Sequence, residues 1–130
     1  LIGIAAAPDF TEDLMWDRFD QDRRDTLMRD GVYYEPSEYG DEPYTITRKL
    51  IEDGRSRLLL RRPIALHCPV RLLHGMRDAS VPWMTTSRIA EKILSEDVRI
   101  FLVKDGDHRL SRDQDIARLK VTLDDLLAEL

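Results

Sequence analysis

The fold is decided by the stretch Val70-Arg71-Leu72-Leu73-His74-Gly75-Met76-Arg77-Asp78, in which a β-type run ends in a glycine-containing turn. A helix is predicted from Pro82 to Leu94, with Pro82 near its start, and Val98 to Val103 is a second, nearly continuous apolar strand. This order predicts a β-α-β unit with parallel strands. Strands that are buried on both faces need helices on both sides of the sheet, so the predicted fold class is α/β.

The residues before this unit contain further strand and helix patterns. Residues 2 to 7 form a short apolar run that predicts a buried strand. Thr11 is the predicted N-cap of a helix that Gly31 ends. After an aromatic, proline-broken stretch that predicts an ordered loop or small hairpin, a second helix is expected from Thr45 until Arg61-Arg62-Pro63 closes it.

The C-terminal segment has the clearest helical pattern in the chain. Ser111-Arg112-Asp113-Gln114 has the form of a capping box. The apolar positions that follow recur at helical spacing: Ile116, Leu119, Leu123, Leu126, Leu127 and Leu130. We therefore predict a C-terminal helix with one apolar stripe.

Composition and charge exclude several classes of partner. With 20 basic and 25 acidic residues the net charge is -5, which argues against nucleic-acid binding. No apolar run approaches the ~20 residues of a membrane span. No His-Glu-x-x-His, paired cysteines or calcium loop is present, so we expect neither a metal nor a cofactor. The single Cys68, expected to be a buried inert thiol, fits a reducing compartment, and the predicted location is cytoplasmic.

Asp78 and His108 each follow one strand of the β-α-β unit. They are 30 residues apart (108 minus 78), which is what one loop, one helix and one strand require. Because functional groups gather at the carboxyl ends of neighbouring parallel strands, we expect the side chains to approach within about 2.6–3.2 Å. The carboxylate would then fix the imidazole tautomer, and the other ring nitrogen would deprotonate a nucleophile. Asp78 and His108 are the predicted catalytic residues, whereas His74 and His67 are expected to be structural.

These motifs resemble those of a known superfamily. His74-Gly75-Met76-Arg77-Asp78 with Val81-Pro82, and Gly106-Asp107-His108, are similar to the acid and histidine motifs of α/β hydrolases. More narrowly, the segment from Tyr39-Gly40-Asp41-Glu42-Pro43-Tyr44 through Gly54 resembles bacterial carboxylesterases related to the mitochondrial acyl-glucuronide esterase and palmitoyl-protein thioesterase group. The resemblance implies the C-terminal half of an α/β-hydrolase fold, a mostly parallel sheet flanked by helices, with an inserted cap.

The nucleophile of such a triad is not visible in the sequence. No serine lies between the glycines of a Gly-x-Ser-x-Gly elbow, and in the family the elbow and the oxyanion-hole loop would precede Leu1. We therefore expect a fragment that is inactive alone and needs the N-terminal half of the same protein. The expected domains are a core strand over 1–8, a cap or lid over 9–62, and a C-terminal core over 63–130 that carries the acid and the histidine.

The predicted function is that of a serine hydrolase acting on small-molecule carboxylic esters or thioesters. The candidate substrate-binding or cap residues share a basic or an aromatic side chain: Arg48, Arg55, Arg57, Tyr44 and Trp83. Residues 48 to 62 contain six bases and two acids, which suits an anionic substrate, and aromatic side chains suit an acyl pocket.

Two alternatives stay open at this point. An Asp-nucleophile α/β hydrolase, of the dehalogenase or epoxide hydrolase type, would keep both Asp78 and His108. A non-catalytic interaction module derived from a hydrolase half would instead bind a partner through an exposed apolar strand edge.

Overall fold

The computed structural model describes residues 1–36 and 40–129, so Tyr39 of the family motif and Leu130 of the C-terminal stripe lie outside the described residues. The strands are β1 (Ile2–Ile4), β2 (Val32–Glu35), β3 (Tyr44–Thr47), β4 (Val70–Gly75) and β5 (Val98–Val103), and the α-helices are α1 (Gln21–Asp30), α2 (Arg48–Arg55), α3 (Met84–Lys92) and α4 (Asp113–Ala128). The chain divides into two compact units, Leu1–Ala7 with Leu59–Leu130, and Pro8–Leu58. The role of residues 9–62 as a cap stays a prediction.

The first unit contains a parallel sheet in the order β1-β4-β5. The central strand β4 is buried along its whole length, and its Val70 pairs with Val98 of β5. Because β4 and β5 are parallel neighbours joined through α3, the predicted β-α-β unit is confirmed. Strand β1 is shorter than the predicted run of residues 2 to 7, since Ala5 takes a positive φ of 45° that ends the extended conformation.

The apolar core of this unit lies between the sheet and α3. Its buried members are Leu60, Val70, Leu72, Ile89 and Ile93. On α3, the side chains of Thr86 and Ile89 are both buried. The helix is shorter than predicted, because Trp83 occupies the N-cap position and Ile93 is extended, with a ψ of 133°.

A buried arginine connects the amino ends of β4 and β5 to the end of α4. Arg71 is only 2% exposed, and its Nη1 and Nη2 donate to the two carboxylate oxygens of Asp97 at 2.9 and 3.1 Å. Its Nη2 also donates to Glu129, which follows α4. The hydrogen bonds from Arg71 lower the pKa of Asp97. The bidentate geometry gives this pair directional as well as ionic character.

Helix α4 begins one residue later than the capping box predicts and leaves much of its apolar stripe exposed. Arg112 occupies the N-cap position, and its backbone N–H donates to the Asp115 carboxylate at 3.2 Å. Thr122 and Leu126 are buried. Three members of the predicted stripe are exposed by 38%, 43% and 58%, respectively: Ile116, Leu123 and Leu127.

In the second unit, the helix predicted to begin at Thr11 is broken. A π-helical turn over Thr11–Met15 and a 3-10 turn over Trp16–Arg18 precede Phe19, whose backbone is extended with a ψ of 133°. Asp20 then caps α1, and its Oδ1 accepts the backbone N–H of the third helical residue at 2.8 Å. The extended backbone at Phe19 separates these turns from α1, so the regular helix begins at the Asp20 cap rather than at Thr11.

The end of α1 and the hairpin that follows agree with the predictions made from the sequence. Gly31 adopts a left-handed φ of 77° and its N–H bonds to the Leu27 carbonyl at 2.9 Å, so the predicted end of this helix is confirmed. Strands β2 and β3 form an antiparallel pair, the hairpin option of the prediction. Helix α2 starts after Thr45, because Thr45 belongs to β3 and Thr47 caps the helix; it ends at Arg55, before the predicted stop.

Cys68 is exposed, so the predicted buried thiol is wrong. It lies just before β4, and burial begins only with Val70, where the chain enters the sheet.

Candidate active site

The loops that follow β4 and β5 are in direct backbone contact at two glycines. A Cβ on Gly75 would lie 2.3 Å from the carbonyl oxygen of Gly106, and a Cβ on Gly106 would lie 3.1 Å from the Cα of Gly75. The N–H of Arg77 donates to the Gly106 carbonyl at 2.9 Å. Since any side chain at Gly75 would separate the two loops, this glycine is required by the close approach of the backbones.

Asp78 and His108 form the hydrogen bond that their spacing predicts. His108 Nδ1 lies 2.8 Å from Asp78 Oδ2; the Asp78 side chain is fully buried, whereas that of His108 is 49% exposed. An ionised carboxylate only accepts hydrogen bonds, so Nδ1 carries the proton. In the neutral ring Nε2 is therefore unprotonated and can act as a base.

The second oxygen of Asp78 is held by the backbone. Oδ1 accepts the N–H groups of Ser80 and Val81, each at 2.8 Å. Burial alone raises the pKa of Asp78, but the hydrogen bonds from Val81, His108 and Ser80 outweigh it and lower that pKa below its ordinary value. Asp78 is consequently ionised at neutral pH and fixed in orientation.

His74, which the sequence analysis assigned to a structural role, contacts the same carboxylate. It is fully buried, and its Nε2 lies 3.1 Å from Asp78 Oδ2 and 3.1 Å from the Val81 carbonyl oxygen. Its Nδ1 lies 2.6 Å from the hydroxyl of Thr86 on α3. The signal for this contact is the four-residue spacing of His-Gly-x-x-Asp, in which the turn after Gly75 returns the acid to the end of the strand.

Local hydrogen bonds also fix the loop that carries His108. Asp107 Oδ1 accepts the N–H groups of Arg109 and Leu110 at 3.1 and 3.0 Å. Arg112 donates to both oxygens of Asp105, at 2.6 and 3.2 Å. His108 is therefore presented by a loop with a defined backbone conformation.

Two of the candidate cap arginines are engaged with carboxylates of their own unit. Arg55 donates to Glu12 at 2.7 Å, and its guanidinium lies 4.5 Å from the centre of the Trp16 ring. Arg57 donates to Asp53 at 2.9 Å, within one turn of α2. Their part in binding a substrate stays a prediction.

The remaining candidates have mixed surroundings. Arg48 donates to the Met28 carbonyl at 3.2 Å and lies 3.6 Å from the Glu52 carboxylate. Tyr44 is 51% exposed on β3. Trp83 is half-buried just before α3. These three residues also stay candidates.

Over residues 1–36 and 40–129, no group of three or more histidine, cysteine, aspartate or glutamate side chains is arranged to hold a metal ion. Within the same ranges, no helix has the length and apolar character to cross a membrane.

Comparisons with solved structures relate this geometry to known proteins. Alpha/beta hydrolase domain-containing protein 10 from mouse matches 99% of this chain with a TM-score of 0.86 and 37% identity, over 52% of that protein. The fold is that of the C-terminal half of an α/β hydrolase. A second structure, from Agrobacterium vitis S4 and provisionally named a hydrolase, matches 96% of the chain with a TM-score of 0.89 and 42% identity, over 48% of its own length.

Curated relatives point to the same α/β-hydrolase half. The chain is 38% identical over 131 residues to human palmitoyl-protein thioesterase ABHD10, mitochondrial, and 39% identical to the mouse protein of that name. Both alignments include the whole chain, which spans 42% and 44% of the length of these relatives. No protein-family model matches the chain.

These relatives correct the predicted location. Because they are named as mitochondrial proteins, the prediction of a cytoplasmic location is wrong. A low cysteine content indicates a reducing environment but not which compartment provides it, and the address of a protein is carried by its targeting segment rather than by its folded core.

Proposed function

We propose that this chain supplies the acid and the base of a serine hydrolase that acts on carboxylic esters or thioesters. Asp78 is the acid that orients the imidazole, and His108 is the general base. The observation that carries the proposal is the 2.8 Å hydrogen bond between the fully buried side chain of Asp78 and the half-exposed side chain of His108.

The proposed chemistry follows from the tautomer of His108. The unprotonated Nε2 takes the proton of a serine hydroxyl as the serine oxygen attacks the acyl carbonyl carbon. Ionised Asp78 stabilises the imidazolium that results. The same proton then passes from Nε2 to the leaving oxygen or sulfur as the carbon–heteroatom bond breaks. In the proposal, the serine and the oxyanion-hole donors belong to the N-terminal half of the protein; the greater length of the relatives supports this division.

The substrate class of the proposal rests on the relatives. Those named palmitoyl-protein thioesterases match the chain from end to end, so we include acyl thioesters beside carboxylic esters.

The test is His108→Ala in the full-length protein, assayed on a p-nitrophenyl ester and on an acyl thioester. Loss of the base should lower kcat by about 10³-fold or more with either substrate. His67→Ala is the matched control, because His67 belongs to the same unit, is exposed, and lies in neither a strand nor a helix. Wild-type turnover by a folded His108→Ala variant would exclude His108 as the base. Failure of a serine-directed fluorophosphonate to label an active enzyme would exclude the serine nucleophile.

A further inference from the structure

Asp78 Oδ2 is shared by two histidines, of which the proposed mechanism uses only His108. The second, His74, is fully buried in β4, where every residue is buried. A polar ring is an expensive core residue unless its nitrogens are satisfied, and an aliphatic side chain would fill a strand core without that requirement. The ring therefore calls for an explanation beyond packing.

The hydrogen-bond partners of His74 define its protonation. Nε2 faces two oxygens that only accept, Asp78 Oδ2 and the Val81 carbonyl, each at 3.1 Å, so Nε2 carries the proton. In the neutral ring Nδ1 then accepts from the hydroxyl of Thr86, at 2.6 Å. Thr86 is itself 2% exposed, so its hydroxyl has little access to competing water. The two acceptor oxygens thereby select the tautomer in which His74 donates to the acid, and the threonine hydroxyl, which can donate or accept, satisfies the other ring nitrogen.

The hydrogen bond from His74 to Asp78 restrains a rotation of the carboxylate that the backbone hydrogen bonds do not restrain. Ser80 and Val81 hold Oδ1, but the carboxylate can still swing about that oxygen. On the Oδ2 side, the other described partner is His108, a half-exposed side chain on a loop. The buried N–H of His74 gives Oδ2 a second donor, one that does not depend on the loop carrying His108.

We propose that His74 is a positioning residue for the hydrolytic reaction, acting through Asp78, with Thr86 holding the other nitrogen of its ring. The inference rests on the proposed function, because it assigns His74 a part in that same site. His74 does not touch the substrate. Its effect is expected on kcat, since the alignment of base and acid matters most as the imidazolium forms.

The kinetic test uses substitutions in the full-length protein that separate the donor from the ring. His74→Phe keeps the ring and removes the donor, and should lower kcat on the order of tenfold or more at unchanged KM. His74→Gln places an amide N–H near the position of Nε2 and should recover most of that loss. Thr86→Val removes the hydroxyl at nearly constant shape and should give an intermediate loss. Thr122→Val is the matched control, a buried threonine on α4 whose hydroxyl donates to the Arg118 carbonyl at 2.8 Å.

A second readout does not depend on turnover. The His108 Nδ1 proton, bonded to a carboxylate, should give a far-downfield proton NMR resonance that broadens or disappears in His74→Phe and returns in His74→Gln. A folded His74→Phe protein with wild-type kcat and an unchanged resonance would reduce His74 to a core residue. If His74→Phe does not fold, a wild-type kcat and resonance in Thr86→Val would overturn the proposal.

The two proposals fail in different ways. If His108→Ala keeps full activity, the proposed function is wrong, yet the resonance still reports whether His74 orders the Asp78–His108 pair. If His108→Ala is inactive but both His74 variants match wild type, only the positioning proposal is wrong.

Discussion

Replacing Asp78 by Asn tests the proposed mechanism by exchanging one carboxylate oxygen for an NH₂ group. The side-chain oxygen of the amide can keep the bonds from the Ser80 and Val81 N–H groups, each 2.8 Å long. The amide nitrogen then replaces Oδ2 and faces His108 Nδ1 at 2.8 Å. Because the amide nitrogen is a donor, the ring must shift its proton to Nε2 to keep a hydrogen bond, and the base is lost.

The opposite orientation of the amide does not rescue the base. It would place the amide NH₂ against the N–H groups of Ser80 and Val81, donor facing donor, so both hydrogen bonds that Oδ1 accepts in the wild type would be lost. The first orientation loses only the bond from His74 Nε2 to the former Oδ2, so it is the favoured one, and it imposes the wrong tautomer on His108. Such a tautomer is expected to lower kcat about 10⁴-fold, which corresponds to about 5 kcal/mol in the activation free energy at ~1.4 kcal/mol per tenfold.

The assay is the initial rate of ester hydrolysis by the full-length protein, with circular dichroism to show that the variant is folded. Asp107→Asn is the matched control: its side-chain oxygen accepts the N–H groups of Arg109 and Leu110, bonds that an amide oxygen can keep. Although Asp107 adjoins His108, this control should retain kcat within about threefold. A folded Asp78→Asn enzyme that keeps more than a tenth of wild-type kcat would refute the tautomer argument.

Two predictions concern stability. Gly75→Ala should lower the free energy of unfolding by about 3 kcal/mol or more, because the new Cβ would lie 2.3 Å from the Gly106 carbonyl oxygen. A change of side-chain rotamer does not move Cβ and so cannot relieve this clash. Gly40→Ala is the control: a Cβ there meets nothing within 4 Å, so the urea midpoint should be unchanged. The pKa of Asp97 lies below 3.8 because Arg71 donates to it, so the ion pair contributes fully above about pH 4 and is lost as the pH falls through the lowered value. Asp97→Asn should therefore reduce the urea midpoint at pH 7 and flatten its decline below pH 4, and an equally steep decline in both proteins would contradict this assignment.

The contact between Asp78 and His108 was predictable because it depends on one simple geometric fact. Consecutive parallel strands joined by a helix lie side by side, so residues just beyond their carboxyl ends meet. The contact of His74 was not predicted, since it depends on how the turn after Gly75 directs Asp78 back towards the strand. Apolar residues around a histidine reveal burial, whereas the hydrogen-bond partners of His74 come from the segment after β4 and from α3.

Helix boundaries and burial show a different limit. Thr11 and Asp20 are both good N-caps by residue type, and the choice between them depends on the extended backbone at Phe19. The spacing of Ile116 and Leu123 correctly predicts α4, but helical periodicity does not specify what packs against a helix, and both residues are exposed. Local preference therefore determines the type of element more reliably than its ends or its environment.

The polar residues of β4 also restrict how that strand can pair. Arg71 near one end binds Asp97, which precedes β5, and His74 near the other is hydrogen-bonded to Thr86 on α3. A shift of β4 by one residue would turn every side chain to the opposite face of the sheet and bury both polar groups away from their partners. Apolar residues alone would tolerate several alignments of β4 and β5, whereas the arginine and the histidine are satisfied in one. The accuracy with which acid and base meet is thus already determined when the strands align, before any substrate is bound.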